Sequence, residues 1–387
     1  MSPRSKKEYL AAIYWRYIRA KTKEKTAILD EFCTNCHYHR KHAIRLLRNY
    51  RKSRNKPKKN KGKPPLYDNR LFREVLTTIW LAANLPCSKR LKAALPLWLP
   101  GYCQSYGELP APIVALLEKV SPATIDRLLK PLRGRYKTRG RSTTKPGTLL
   151  KKQIPVKTNQ WDESRPGFLE ADTVAHCGDS LMGTFVYTID TVDIATGWTE
   201  QRAVWGKGEQ AVMEQIKNIE SALPFPLLGF DSDNGSEFLN HHLLRHFQHR
   251  KKPVQFTRSR SYHKDDNAHV EQKNWTHVRE WLGYHRFDRQ EFVPLLNNLY
   301  TSEWRLFHNF FCPSMKLISK NRVASKTIKV YERPKTPFQR LLDSPHIPNT
   351  VKQSLTKQFQ GLNPFLLRQA MENQMRMIFN LHRKLSG

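Results

Sequence analysis

Beyond Trp161 the spacing of apolar residues changes from helical to strand-like, and this change constrains the fold more than any other feature. Residues 167–175, 184–192 and 198–204 have the composition of strands separated by short turns. An amphipathic helix is predicted over 209–222. The elements predicted after it alternate between strand and helix, at 227–231, 237–250, 254–257 and 268–281.

The resulting order, β-β-β-α-β-α-β-α, is that of the ribonuclease-H-like fold. Asp172 lies in the first strand, Asp233 directly follows the fourth, and Glu271 lies on the last helix. In such a fold the first and fourth strands are adjacent and parallel, and open α/β sheets place their sites at the carboxyl ends of the strands. We therefore expect both aspartates to face one cleft.

Three acids in one cleft suit metal-dependent chemistry on phosphodiesters. Mg²⁺ prefers oxygen ligands and takes only one or two carboxylates per ion. Two divalent ions about 3.5–4 Å apart can hold both the attacking and the leaving oxygen of a phosphodiester. Each acid taken singly also has a structural interpretation: Asp172 as the cap of a strand, Asp-Asn-Gly as a turn, and Glu271 as a solvated helix residue.

Other acids of this region compete for the same roles. Asp231 would share a strand face with Asp233, but Asp233 is preferred because it immediately precedes Asn-Gly. Glu170 faces the same side as Asp172 and is the second choice for an extra metal ligand. Asp190 and Asp193 are interpreted as structural.

The positive charge of the chain is concentrated in its N-terminal part. The formal net charge is +34; residues 1–160 contain 37 Lys and Arg against 9 Asp and Glu, and residues 161–387 contain 30 against 24. This asymmetry favours DNA binding followed by an enzyme or scaffold domain. The alternative is a ribosomal or nucleoid protein that coats polyanions, although 11% aromatic residues and nine Trp favour folded cores.

The first 50 residues are predicted to form a helix-turn-helix domain. Apolar stripes indicate one helix over 7–20 and a second through 27–32, followed by a third that is rich in cations. The alternatives are a helical hairpin with a solvated basic face and, for Cys33 and Cys36, a zinc site in place of a turn. The residues expected to contact DNA from the third helix are Arg40, Lys41, Arg45 and Arg48.

The predicted organisation is an all-α helix-turn-helix region, an α/β catalytic core and a small mixed or helical C-terminal region. Ser121 and Pro122 predict a helix start in a second helical DNA-binding domain. No apolar run approaches the roughly 20 residues of a membrane helix, so we expect the protein to stay in the cytoplasm, where its basic charge favours association with the nucleoid. The predicted divisions are 1–50, a basic linker 51–66, 67–133, a linker 134–160, the core 161–290 and the C-terminal region 291–387.

Around Asp172, Asp233 and Glu271 the chain resembles the superfamily of DDE transposases and retroviral integrases, over about residues 161–284. The segment SDNGSEF at 232–238 is similar to the Asp-Asn-Gly segment of the superfamily, and NAHVE at 267–271 resembles the segment that carries the glutamate in bacterial insertion-sequence transposases. The resemblance implies Mg²⁺ or Mn²⁺ as cofactor and synapsis of two DNA ends by a homo-oligomer. It also implies transesterification without a covalent protein intermediate.

One departure concerns a cation that follows the glutamate. Members of the superfamily often have Lys or Arg seven residues after it, whereas here that residue is Val278 and Arg279 follows. Arg279 is the expected substitute for DNA contact. Lys264, in the loop before the catalytic helix, is expected to meet the target strand, as are its neighbours Arg260 and His263.

Two functions of different classes remain open from the sequence. The favoured function is a transposase that binds the ends of its own element and joins 3′-hydroxyls to target DNA. The alternative is a sequence-specific regulator whose ribonuclease-H-like domain is only a scaffold, and a nuclease acting on structural RNA is a third option. Inverted repeats flanking the coding sequence would favour the transposase.

Overall fold

The computed structural model describes most of the chain. It divides into two compact units, Met1–Leu66 and Tyr67–Gly387. Most of both predicted linkers, and the predicted site residues Asp233 and Lys264, lie outside the described residues. The described ranges are 1–54, 66–136, 164–232, 240–258, 268–323 and 326–386, together with Gly235, Glu237 and Phe238.

In its described residues, 1–54 and 66, the first unit has three helices: α1 (Pro3–Arg19), α2 (Thr22–Cys36) and α3 (Arg40–Arg54). Helix α2 ends where His37 adopts the left-handed conformation, with φ 53° and ψ 46°. Cys33 and Cys36 occupy its last turn, and Cys36 is fully buried in the small core of this unit. The predicted succession of helices is confirmed, with the turn at residues 37–39 rather than at the cysteines.

The second unit begins with four helices that precede the sheet. Ser121 caps the last of them as predicted: its Oγ accepts a hydrogen bond from Thr124 N at 3.2 Å, and Pro122 takes the first helical position. The four helices are α4 (Arg70–Ala82), α5 (Ser88–Tyr106), α6 (Ala111–Lys119) and α7 (Pro122–Arg133).

A mixed five-stranded sheet follows, and its elements come in the predicted order. Its strands lie in the order β3-β2-β1-β4-β5; β2 is antiparallel to both of its neighbours, β3 and β1, whereas β4 pairs in parallel with β1 and β5. The predicted parallel pairing of the first and fourth strands is therefore confirmed. The elements are β1 (Phe168–Ala175), β2 (Val186–Asp193), β3 (Thr199–Trp205), α8 (Glu209–Ala222), β4 (Gly229–Ser232), α9 (His241–Gln248), β5 (Gln255–Arg258) and α10 (Ala268–Lys273).

The helix predicted over 268–281 is interrupted after α10. The chain continues as a π-helical turn, Asn274–Arg279, before a short α11 (Glu280–Leu282). Thr276 Oγ1 donates to the Gln272 carbonyl at 3.1 Å, and Trp281 Nε1 donates to the Thr276 carbonyl at 3.1 Å. Side chains thus hydrogen-bond backbone carbonyls in a turn that is wider than an α-helical one.

The C-terminal region packs around the sheet. The elements are α12 (Phe292–Leu299), a π-helical turn (Tyr300–Trp304), α13 (Arg305–Phe311), β6 (Leu317–Val323), β7 (Lys326–Tyr331), α14 (Pro337–Asp343), α15 (Asn349–Gln360) and α16 (Pro364–Ser386).

Two asparagines of this region complete the hydrogen bonding of β3, which is an edge strand of the sheet. Asn309 accepts from Thr199 N and donates to Thr199 O, both at 2.9 Å. Asn297 makes the same pair of bonds with Ala203, at 2.7 and 2.9 Å. Each amide group takes the place of a peptide group from a further strand.

The helices before the sheet and those after it share one core. Trp98 of α5 is fully buried and packs edge-on against Phe307 and Phe365, and its Nε1 donates to the Phe311 carbonyl at 3.0 Å. The predicted division of residues 67–387 into three domains is thus not marked by separate cores. No helix in the described ranges is long and apolar enough to cross a membrane.

Candidate active site

One face of the sheet has four acidic residues close together. Asp172 of β1 is paired with Asp190 of β2, and Glu170 of β1 is paired with Asp231 of β4. Paired residues and residues two apart on a strand point to the same face, so all four carboxyl groups lie on one side. Asp172 is half-buried, whereas the other three are buried.

The carboxylate of Asp172 is fixed from two sides. Its Oδ1 accepts from Thr173 N at 2.7 Å, and its Oδ2 accepts from Asn274 Nδ2 at 2.6 Å. Asn274 is the first residue of the π-helical turn and lies three residues after Glu271, a spacing at which helical residues are neighbours. The sequence analysis missed Asn274, although this spacing from the predicted glutamate was a usable signal.

Glu170 anchors the helix that carries Glu271. Its carboxylate is 1% exposed, and its Oε2 accepts from the backbone N–H groups of His269 and Val270, both at 3.2 Å. A carboxylate at a helix N-terminus satisfies free N–H groups and interacts favourably with the helix dipole. Glu170 therefore has a structural role: it holds the start of the helix of Glu271 against the strand of Asp172. The side chain of Glu271 is exposed.

Asp231 and Asp233 differ in what the structure shows of them. Asp231 is fully buried, and its Oδ1 accepts from Thr257 Oγ1 of β5 at 2.5 Å. Asp233 lies outside the described residues. The last paired residues of β1 and β4 are Ala171 and Ser232, and in the sequence Asp172 and Asp233 directly follow them.

The oxygen atoms around Asp172 are of the kind that a hard divalent cation takes as ligands. Asn274 Oδ1 and Asp190 Oδ2 are buried and have no hydrogen-bond partner among the described residues. Oxygen atoms of carboxylates and amides are suitable ligands for Mg²⁺. No group of three His, Cys, Asp or Glu in the described part of the chain is arranged to hold a metal, and that part does not include Asp233.

A buried polar cluster supports this face from below. Burial raises the pKa of Asp190 to about 7, and Gln201 Nε2 donates to its Oδ1 at 2.8 Å. Burial lowers the pKa of Lys273 to about 8, and its Nζ lies 3.4 Å from His277 Nε2. The ring of His277 stacks on that of His308, with centroids 4.1 Å apart.

Asp193, interpreted as structural, accepts from Gly167 N and Thr196 N, both at 2.8 Å.

Arg279 is held by the protein itself. It donates from Nη2 to the Ala175 carbonyl at 2.6 Å, and its guanidinium lies 4.8 Å from the ring centroid of Tyr284. Burial lowers its pKa. These contacts join the π-helical turn to the end of β1, and a DNA contact by Arg279, which stays a prediction, would compete with them.

The four cations predicted on α3 are all exposed. Arg40 forms an ion pair with Asp30 of α2. Lys41, Arg45 and Arg48 follow one another at helical spacing and therefore share a face. Ile44 lies on the same face and is 40% exposed, so this face combines charge with an apolar contact.

Three buried histidines predict that the second unit loses stability in acid. Burial lowers the pKa of His176 to about 3 and those of His277 and His308 well below the ordinary value. Below the ordinary pKa of about 6.5 the unfolded chain binds protons that the folded chain does not, so stability falls as the pH falls. Each histidine should cost up to about 2 kcal/mol between pH 7 and pH 5. The buried carboxyl of Asp190, with its pKa raised to about 7, binds a proton in the folded chain over the same range and offsets about the share of one histidine.

Urea unfolding followed by tryptophan fluorescence at several pH values measures this effect. His308→Phe should weaken the pH dependence by the share of one histidine, whereas His241→Gln, at an exposed position, should leave it unchanged. An unaltered pH dependence in His308→Phe would show that this histidine is not kept neutral by the fold.

The fold and the acidic sheet face define a mixed α/β protein with a candidate metal-binding site. No protein-family model matches the chain. It is 38% identical over 343 residues to the uncharacterized protein y4rM of Sinorhizobium fredii (strain NBRC 101917 / NGR234), over 88% of this chain and 96% of that protein. The chain therefore belongs to the same protein family as y4rM.

Among solved structures, the catalytic core domain of BIV integrase is similar to this chain. The match covers 46% of this chain and 96% of that domain, with 14% identity and a TM-score of 0.31. A likeness at this level is too weak to assign a fold or a function to this chain.

Proposed function

We propose that this protein is a DNA transposase with a ribonuclease-H-like core. It binds the ends of its element and cuts and joins DNA at a site formed by Asp172, Asp233 and Glu271. One observation carries the proposal: the strand of Asp172 pairs in parallel with the strand that ends one residue before Asp233. The strand of Asp172 also anchors the helix of Glu271, through the carboxylate of Glu170.

The three acids would hold Mg²⁺ or Mn²⁺. When bound, two such ions would lower the pKa of the attacking hydroxyl and stabilise the leaving oxygen. The protein's own contribution is position: Thr173 and Asn274 fix the carboxylate of Asp172, and Glu170 fixes the helix of Glu271. Asn274 Oδ1 offers one further oxygen beside Asp172.

The test uses purified full-length protein, duplexes with the sequence of the element ends, and Mg²⁺. Mapping of the products should show cleavage at the element terminus and joining of its 3′-hydroxyl to target DNA. Specific binding without cleavage in either Mg²⁺ or Mn²⁺ would favour the regulator, and cleavage of structured RNA alone would favour the nuclease.

Asn274→Ala is expected to weaken metal-dependent cleavage about 10–100-fold, as is usual when a partner of a metal ligand is removed. The physical reason is that Asp172 loses the donor that fixes its Oδ2. The loss should shrink as Mn²⁺ or Mg²⁺ is raised, because the variant lowers metal affinity. Asn298→Ala, at an exposed position on α12, is the matched control and should cleave normally. A loss that is the same at every metal concentration would contradict this role for Asn274.

Neutralising Arg40, Lys41 and Arg45 together is expected to weaken binding to the element end by at least about 100-fold, since a good base contact contributes about 1–3 kcal/mol. Neutralising the linker residues Lys56, Lys58 and Lys59 should weaken binding to specific and random DNA alike. Footprinting and titration of both triple variants measure the difference. Equal losses on specific and random DNA in the α3 variant would remove its role in recognition.

A further inference from the structure

The positive charge of the second half of the chain is concentrated in one short segment. Residues 316–335 contain seven Lys and Arg and one acid, which gives a net charge of +6. Residues 161–387 as a whole contain 30 Lys and Arg against 24 acids, which is also +6. The remainder of 161–387 is therefore neutral overall, and the segment stands out against it.

This segment contains the two-stranded antiparallel sheet β6–β7, here called the ribbon (residues 317–331). Its base is fixed to the rest of the unit by Arg340, which is 7% exposed. The guanidinium donates to Thr196 O at 3.0 Å, to Ser314 O at 2.8 Å and to Glu332 Oε1 at 2.8 Å. The single acid of the segment, Glu332, is thus held by Arg340 at the base of the ribbon.

The strands of the ribbon combine like charges with exposed apolar side chains. Lys320 and Lys329 are direct partners in the register of β6 and β7. Among the described residues, no carboxylate pairs with Lys329 or Arg333, and both are exposed. Ile328 and Val330 of β7 are 52% and 47% exposed. A two-stranded sheet alone does not bury such residues.

We propose that the ribbon is a further DNA-binding element, which contacts duplex DNA in the major groove. That groove is about 12 Å wide and admits a two-stranded β-ribbon. Cations of the ribbon would meet the phosphates, and the exposed apolar residues of β7 would lie against the groove. The inference rests on the proposed function for its partner, DNA, but it uses residues separate from α3 and from the catalytic acids.

The test compares two double variants of the full-length protein that change the charge equally. Lys329→Glu alters β7 of the ribbon and Arg333→Glu alters the segment that directly follows β7, and this pair is the ribbon variant. Lys357→Glu with Arg376→Glu alters exposed helical positions of the same unit. Affinity for a duplex is measured in EDTA over a series of salt concentrations. The slope of log affinity against log salt should fall by about 2 in the ribbon variant, because about 0.9 is lost per phosphate contact, and should stay unchanged in the control.

A second measurement uses the unaltered protein, so that it does not depend on the folding of a variant. Lysine acylation with and without DNA, read by mass spectrometry, should show protection of Lys329 and not of Lys357. Equal slopes in the two variants together with unprotected Lys329 would overturn the proposal. A ribbon variant that dissociates an oligomer in sedimentation without a change in slope would overturn it in favour of a contact between copies.

These outcomes separate the ribbon from the proposed function. Binding in EDTA requires no cleavage chemistry. A salt-dependence slope that falls in the ribbon variant of a protein that never cleaves DNA would therefore contradict the transposase proposal and support the ribbon proposal. Normal cleavage with an unaltered slope would do the reverse.

Discussion

Replacing Asp233 by asparagine is expected to abolish strand cleavage and joining while binding to the element end is retained. The amide keeps the shape of the side chain but removes the anionic ligand on which the proposed metal site depends. Losing metal-ion stabilisation worth several kcal/mol corresponds to a fall of about 1,000-fold or more in rate. Asp172→Asn should have the same effect. Single-turnover cleavage and a parallel binding titration measure both quantities.

Asp231→Asn is the matched control. Asp231 is buried and accepts from Thr257, and the amide oxygen of asparagine can accept the same hydrogen bond. We expect this variant to retain cleavage with a modest loss of stability. An inactive Asp231→Asn beside an active Asp233→Asn would reverse the assignment of the two aspartates.

Strand joining is expected in Mg²⁺ or Mn²⁺ and not in Ca²⁺, although Ca²⁺ should still support assembly of the protein–DNA complex. Ca²⁺ accepts 6–8 ligands in loose geometry at about 2.3–2.6 Å, whereas Mg²⁺ requires an octahedron at about 2.0–2.1 Å. In-line attack needs the two reacting oxygens held in the tighter frame. Product formation and complex assembly are measured in parallel for each cation.

The same reaction should leave no protein covalently attached to DNA. In the proposed mechanism the nucleophile is water or a 3′-hydroxyl and not a side chain. Quenching with denaturant and searching for protease-sensitive, DNA-linked protein tests this. A stable adduct on tyrosine or serine would place the protein among recombinases with a covalent intermediate, and the roles given to Asp172, Asp233 and Glu271 would have to be abandoned.

The sequence predicted the order of elements well because periodicity and turn residues are local signals. The strands around Asp172 and the short strand before Asp233 follow from patterns of a few residues each. The order of these elements matches the ribonuclease-H-like fold, and that fold implied the parallel pairing of β1 and β4, which the structure confirms.

The contacts that position the site were not predictable in the same way, because they join residues far apart in the chain. The bond from Asn274 to Asp172 spans 102 residues, and those from His269 and Val270 to Glu170 span about as many. The π-helical turn also escaped prediction, since its apolar spacing is close to that of an α-helix. The shared core around Trp98 is a third such long-range feature.

The asparagines that complete β3 have a practical consequence for work with fragments. A fragment limited to the predicted core, residues 161–290, would lack both Asn297 and Asn309 and would leave the peptide groups of Thr199 and Ala203 open. An open strand edge is a template on which other chains add strands. Poor solubility of such a fragment would then reflect an uncovered sheet edge rather than a wrongly chosen fold.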